Sequence, residues 1–181
     1  MFGIFKKRSG TAPFPAEQCS VDFSENGMTI NGMKLDVLVH LDAAVKLLGN
    51  PRSEKYKTSA ENREFLEGVH GNGMVTNRVN YTWDDIGIYC YTLNGKVVHC
   101  FGFKMSNNGD LHLKHDPEKL FSGTLTICGR PWQQVIALGE DCEVLRELRV
   151  GDYLITAEYA DPFAGDNPED GGYSCIEISL A

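Results

Sequence analysis

His112-Leu113-Lys114-His115-Asp116 sets two imidazoles and a carboxylate within five residues. Histidines at i and i+3 on a helix can share a metal ion. Asp116-Pro117 disfavours a helix there, because the proline ring crowds the residue before it, so a solvated connection without metal is expected. A turn at Asn94-Gly95 would bring Cys90 opposite His99, the parts of a Cys–His nucleophile. Mid-strand positions supply neither an orienting third group nor a helix N-terminus to acidify the thiol, so packing is expected. Trp83-Asp84-Asp85 places two carboxylates beside an indole. Strand neighbours point to opposite faces, so the two cannot share a proton as acid and base. No catalytic residue, cofactor or metal is expected.

Other residues have the chemistry of recognition. Tyr81, Tyr89 and Tyr91 occupy odd positions and would share one face of a regular strand, either under helices or as an aromatic docking surface. Trp83 is either buried or an interface anchor, with Asp84 and Asp85 shaping a turn or flanking that anchor. Glu158 and Asp161 precede a Gly- and Pro-rich stretch holding Asp166, Glu169 and Asp170. A calcium loop needs acids at alternate positions and a closing glutamate, and this spacing has neither. An acidic loop that covers a basic site on a partner is one reading; an inert solvated loop is the other.

Elements must hold these groups in place. Hairpin strands are expected over Gly27 to Leu35, turning at Asn31-Gly32. Leu41, Ala44, Val45 and Leu48 have helical spacing, and Gly49-Asn50-Pro51 is a stop. A charged helix is expected over Ala60 to Glu67, then a Gly-rich loop at His70-Gly71-Asn72-Gly73 without the Lys-Ser/Thr of a phosphate loop. Strands follow from Val79 through Phe103, one face carrying Ile88, Cys90, Val97, His99 and Phe101, the other Tyr89, Tyr91, Val98 and Cys100. Further on, Leu138 to Leu148 is a helix candidate, and strands are expected over Tyr153 to Tyr159 and Ser174 to Leu180.

A hydrophobic fraction of 42% and a charged fraction of 23% over 181 residues suit one well-buried core or two small ones. The net charge of −8 argues against nucleic-acid binding, which needs clustered Lys and Arg. That charge is one-sided: from residue 122 onward stand 3 basic and 11 acidic residues, while the preceding part is neutral. Such a field speeds encounter with a basic partner. Cys90, Cys100, Cys128 and Cys175 fall in expected strands and no CxxC occurs, so neither a disulfide framework nor a zinc ribbon is expected. Phe2, Ile4 and Phe5 precede Lys6-Lys7-Arg8, the reverse of a secretory signal, and no segment offers the ~20 apolar residues of a membrane span. A cytoplasmic location is expected.

Met28-Thr29-Ile30-Asn31-Gly32 returns 97 positions later as Leu125-Thr126-Ile127-Cys128-Gly129, and the order helix, Tyr-rich strand, closing strand follows each copy. The expected fold is α+β, a tandem duplication of a small unit with short helices on an antiparallel sheet. Residues 1–26 would be a partly ordered lead-in, 27–105 the first repeat, 106–119 a linker and 120–181 a diverged, acidic second repeat. The elements Leu47-Leu48-Gly49-Asn50-Pro51, Tyr81-Thr82-Trp83 and Asn94-Gly95-Lys96-Val97 resemble the unit of β-lactamase-inhibitory protein and of outer-membrane-assembly lipoproteins of the same fold. The resemblance covers residues 28 to 105; the second copy has neither the GxP nor the YxW element. It implies a helical pair on one sheet face, repeated in tandem. At the level of class the chain is also similar to small acidic immunity proteins that occlude toxins.

These features lead to the expectation of a non-enzymatic protein-binding protein, a cytoplasmic immunity or inhibitor protein whose partner is a basic toxin. Tyr81, Trp83, Asp84, Asp85, Tyr89, Tyr91, Glu158, Asp161, Asp166, Glu169 and Asp170 would form its contact surface. The alternatives are a small enzyme or ligand binder using His70, His99 or Asp84 in a pocket between repeats, and a structural part of a secretion or envelope assembly. Oligomeric state has no signal in the sequence.

Overall fold

The computed structural model describes residues 10–56, 60–70, 77–93, 95–109, 111, 113–161 and 172–181. Its architecture is α+β, dominated by two sheets. The smaller is built from β1 (Ser20–Ser24), β2 (Gly27–Ile30), β3 (Met33–Lys34), β8 (Thr124–Ile127) and β9 (Arg130–Pro131), in the order β3-β2-β1-β8-β9. The larger has eight strands: β4 (Arg52–Lys55), β5 (Val79–Trp83), β6 (Ile88–Thr92), β7 (Val98–Lys104), β10 (Glu140–Asp141), β11 (Leu145–Val150), β12 (Tyr153–Tyr159) and β13 (Tyr173–Leu180). Their order is β10-β11-β12-β13-β7-β6-β5-β4, antiparallel throughout, so two four-stranded meanders meet at the β7–β13 pair.

The chain enters through β1, inside the stretch expected to be a lead-in. Val21 and Phe23 alternate with exposed Asp22 and are fully buried, which makes this short strand the centre of the small sheet. It pairs antiparallel with β2 and parallel with β8. Both flanking hairpins turn through two residues with positive φ, Asn31 (50°) and Gly32 (73°), then Cys128 (51°) and Gly129 (72°). That backbone is what a type I′ turn demands. Cys128 therefore lies in an exposed turn, not in the strand expected for it.

Helix α1 (Leu41–Leu48) forms where the apolar spacing places it, with Leu41, Ala44 and Leu48 buried. Its N-cap is His40, whose ring accepts from the Asp42 N–H, and Gly49 closes it at φ 86°. Helix α2 (Ala60–His70) runs one turn beyond expectation. The third helix, α3 (Trp132–Ile136), precedes the expected one. The segment expected to be helical from Leu138 to Leu148 instead forms β10 and most of β11. Leu145 and Leu148 are compatible with either period, and pairing of β11 with β12 decides for strand. Buried residues from both sheets, α1 and α3 form one apolar cluster.

Two register details redistribute the side chains. Four residues join β5 to β6, so odd positions in one face even positions in the other: Tyr81 opposes Cys90, and Thr82 opposes Tyr89. Tyr81 thus lies on the core face and Tyr89 and Tyr91 on the outer one; the three do not share a face. In the next hairpin Tyr91 faces Cys100 while Thr92 faces Val98, leaving His99 as the extra residue of a bulge. Cys90 then faces Phe101 rather than His99, and Val98 turns inward, away from the tyrosines.

Candidate functional site

On the large sheet, Ile88, Cys90, Phe101, Phe103, Ile155, Ala157, Ile176 and Ile178 point into the core. The opposite face carries polar chemistry. One cross-strand row runs through Glu140, Glu147, Thr156, Glu177, Gly102, Tyr89, Thr82 and Arg52, a single residue from each of the eight strands. Glu158 lies on the same face, opposite Leu145 and Cys175. The acidic half of the sequence thus places four glutamates on one face of four adjacent strands. Glu140 is exposed and Glu147, Glu158 and Glu177 are half-exposed.

The other half of this face is covered in part. The described residues of 106–119, expected to be a linker, cross it as a strap. Leu111 packs with Tyr89 and Cys175, and Leu113 joins them. The Lys104 ammonium donates to the Pro117 carbonyl at 2.9 Å. Arg52 is the main anchor. Its Nε and Nη2 donate to the two carboxylate oxygens of Asp84 at 3.0 and 2.7 Å, and Nη1 donates to Glu54 at 2.9 Å. Nη2 also reaches the carbonyls of His115 and Asp116, each at 3.1 Å. The hydrogen bond with Asp84 raises the Arg52 pKa, keeping the guanidinium protonated. His115 Nδ1 meets Glu54, so this member of the expected His pair serves the clamp; His112 lies outside the described residues.

Trp83 and Tyr89 are each 1% exposed, and Asp84 3%. This corrects their expected place in a contact surface. The Trp83 indole is in the core and donates to the Gly49 carbonyl at 2.8 Å. Asp84 is consumed by Arg52. The Tyr89 hydroxyl donates to Glu177 at 2.8 Å, and burial, with Glu177 next, holds its pKa well above the usual phenol value. Tyr81, Asp85, Tyr91 and Glu158 are half-exposed, and Asp161 is exposed. Asp166, Glu169 and Asp170 lie outside the described residues, as does the side chain of His70.

Asp85 lies apart from the acidic face. It lines a cavity of about 290 Å³ together with Thr11, Phe14, Glu17, Ile86, Lys119 and Ser122. His99 and Asp84, the expected working groups of a pocket, do not line it; burial lowers the His99 pKa. Among the described residues no three His, Cys, Asp or Glu side chains are grouped to hold a metal, and no helix is long and apolar enough to cross a membrane. Glu140, Glu147 and Glu177 are surface residues that sequence reasoning missed. Reading Leu145 to Val150 as a strand would have placed Glu147 alone; Glu140 needed the β10–β11 register and Glu177 the β12–β13 register.

The model of a family described as Domain of unknown function (DUF7738) matches residues 20–140, from the start of β1 to the first residue of β10. No curated protein and no solved structure matches the chain.

Proposed function

The chain belongs to the DUF7738 family, and we propose that it is a non-enzymatic protein-binding protein that occludes a basic surface of its partner. The observation that supports this is the row Glu140–Glu147–Thr156–Glu177 with Glu158 beside it, on the sheet face turned from the core. Like charges set opposite each other, as Glu140 and Glu147 are, cost stability in the free protein. A cationic partner would relieve that repulsion and be steered by it. A cytoplasmic immunity or inhibitor protein acting on a basic toxin is the form of this function we favour. The two meanders, each preceded by a positive-φ hairpin and a helix, are consistent with duplication of one unit. On that reading the first copy, strapped and clamped, is the scaffold, and the second, acidic one is the recognition unit.

The test is affinity capture from the native cell with the wild-type chain and with a Glu147→Lys, Glu158→Lys variant, followed by association kinetics on the captured protein. A basic protein retained by the wild type, lost by the variant, and associating about tenfold or more slowly between about 50 and about 300 mM salt is expected. Equal retention by both chains, with a salt-independent association rate, would defeat the proposal. A second reading, a small-ligand binder, is favoured by the cavity beside Asp85. Its volume of about 290 Å³ is at the lower end for ligand sites. It predicts that Asp85→Asn, not Glu147→Lys, changes binding.

A further inference from the structure

Arg78 stands immediately before β5, on the outer face and in the half away from the four glutamates. Its guanidinium carbon lies 4.2 Å from the centre of the Tyr91 ring and 4.9 Å from that of Tyr56. The Tyr56 N–H donates to the Arg78 carbonyl at 3.0 Å, continuing the β4–β5 ladder by one pair, so Tyr56 and Arg78 are cross-strand neighbours. The Nε–H donates to the Asn80 side-chain carbonyl at 2.9 Å, fixing the rotation of the group. Among the described residues, Nη1 and Nη2 have no hydrogen-bond partner. The carboxylate on the neighbouring pair, Glu54, is already engaged by Arg52 and His115.

A long, rotamer-rich side chain has here been held by two rings and one hydrogen bond before any ligand arrives. Two aromatic faces strip water from both sides of the cation, and cation–π attraction compensates part of that loss. What remains is a guanidinium end with four N–H groups and no acceptor, the geometry that takes two oxygens of one oxyanion side by side. A lysine at this position would stack less well and offer only a point charge.

We infer that Arg78, between Tyr56 and Tyr91, is an oxyanion-binding site that takes a carboxylate or a phosphoryl group in a two-point hydrogen bond. The inference does not rest on the function proposed for the acidic face, and its ligand has the opposite charge; Glu177 of that face is near enough to act electrostatically on Tyr91. The experiment is an NMR titration of the full chain with sodium acetate and, separately, inorganic phosphate, against sodium chloride at matched ionic strength. The Arg78 Nε–H and the Tyr56 and Tyr91 ring resonances are the readout. Saturable shifts confined to these groups are expected, with Arg78→Lys weakening binding about tenfold while keeping the folded spectrum. Saturation by both anions assigns a general oxyanion site; saturation by phosphate alone assigns a phosphoryl source, and by acetate alone a carboxylate. Shifts that stay linear and match those of chloride overturn the inference on the wild-type chain alone, whatever the variant does. Equal affinity of a folded Arg78→Lys chain overturns it as well.

Discussion

The ring of Tyr89 lies over the bare Cα of Gly102, its direct partner across the β6–β7 ladder, and its hydroxyl donates to Glu177 on the far side of that glycine. Any β-carbon at position 102 would fall inside the ring. Gly102→Ala is therefore expected to cost about 1–3 kcal/mol through overpacking. Tyr89→Phe, which keeps the ring but removes the donor, should cost about 1–2 kcal/mol. Urea denaturation of the two variants measures both, and a neutral Gly102→Ala would show that the ring is elsewhere.

The Arg52–Asp84 pair joins β4 to the turn after β5 and holds the strap through two carbonyls. Removing one member deprives a buried charge of its two-point partner, so Asp84→Ala and Arg52→Ala should each destabilise by about 3–5 kcal/mol. The double variant should lose less than the sum of the two, and a double-mutant cycle reads the coupling. Strict additivity would mean that the two side chains do not meet in solution.

Burial pushes the Cys19 and Cys175 thiols from 9.0 up to about 12. The folded chain then keeps protons that the unfolded chain releases above pH 9. Their contribution to stability is complete below that pH and is lost as pH rises from 9 towards 12. The urea midpoint should fall across this range, with a shallower slope for Cys19→Ala. An unchanged slope in that variant would deny Cys19 its part.

Cys128 and Cys142 are exposed, whereas Cys19, Cys90, Cys100 and Cys175 are buried. A thiol reagent at about pH 8 should label Cys128 and Cys142 rapidly, and the remaining four only at the rate of unfolding. Rapid labelling of a third thiol, located by peptide mapping, would contradict the burial.

Local signals were read correctly where the physics is local. The spacing Leu41, Ala44, Val45, Leu48 with Gly49-Asn50-Pro51 behind it dictates α1, because both amphipathic period and stop lie within a few residues. The turn at Asn31-Gly32 is equally self-contained. Side-chain facing was not legible. Parity alone groups Tyr81 with Tyr89 and Tyr91, but the number of residues in the β5–β6 turn reverses that parity. The bulge at His99 reversed Val98 in the same way. A one-residue change of register moves every side chain to the other face, and no single strand records it.

The sequence by itself determined the composition of an α+β chain, the acidity of everything after residue 121, and the two matching hairpins 97 positions apart. Those are properties of neighbouring residues and of sums. Only the tertiary structure decided that the acidity forms a row, because Glu140, Glu147 and Glu177 come from three strands of one meander that strand pairing brings into register, with Thr156 of β12 between the last two. It also buried Trp83, Asp84 and Tyr89, turned the linker into a strap, and left Arg78 between two rings. The reason is common to all four. Burial and pairing depend on which distant segment covers a residue, and that partner is chosen by packing of the whole chain rather than by the residue's own neighbours.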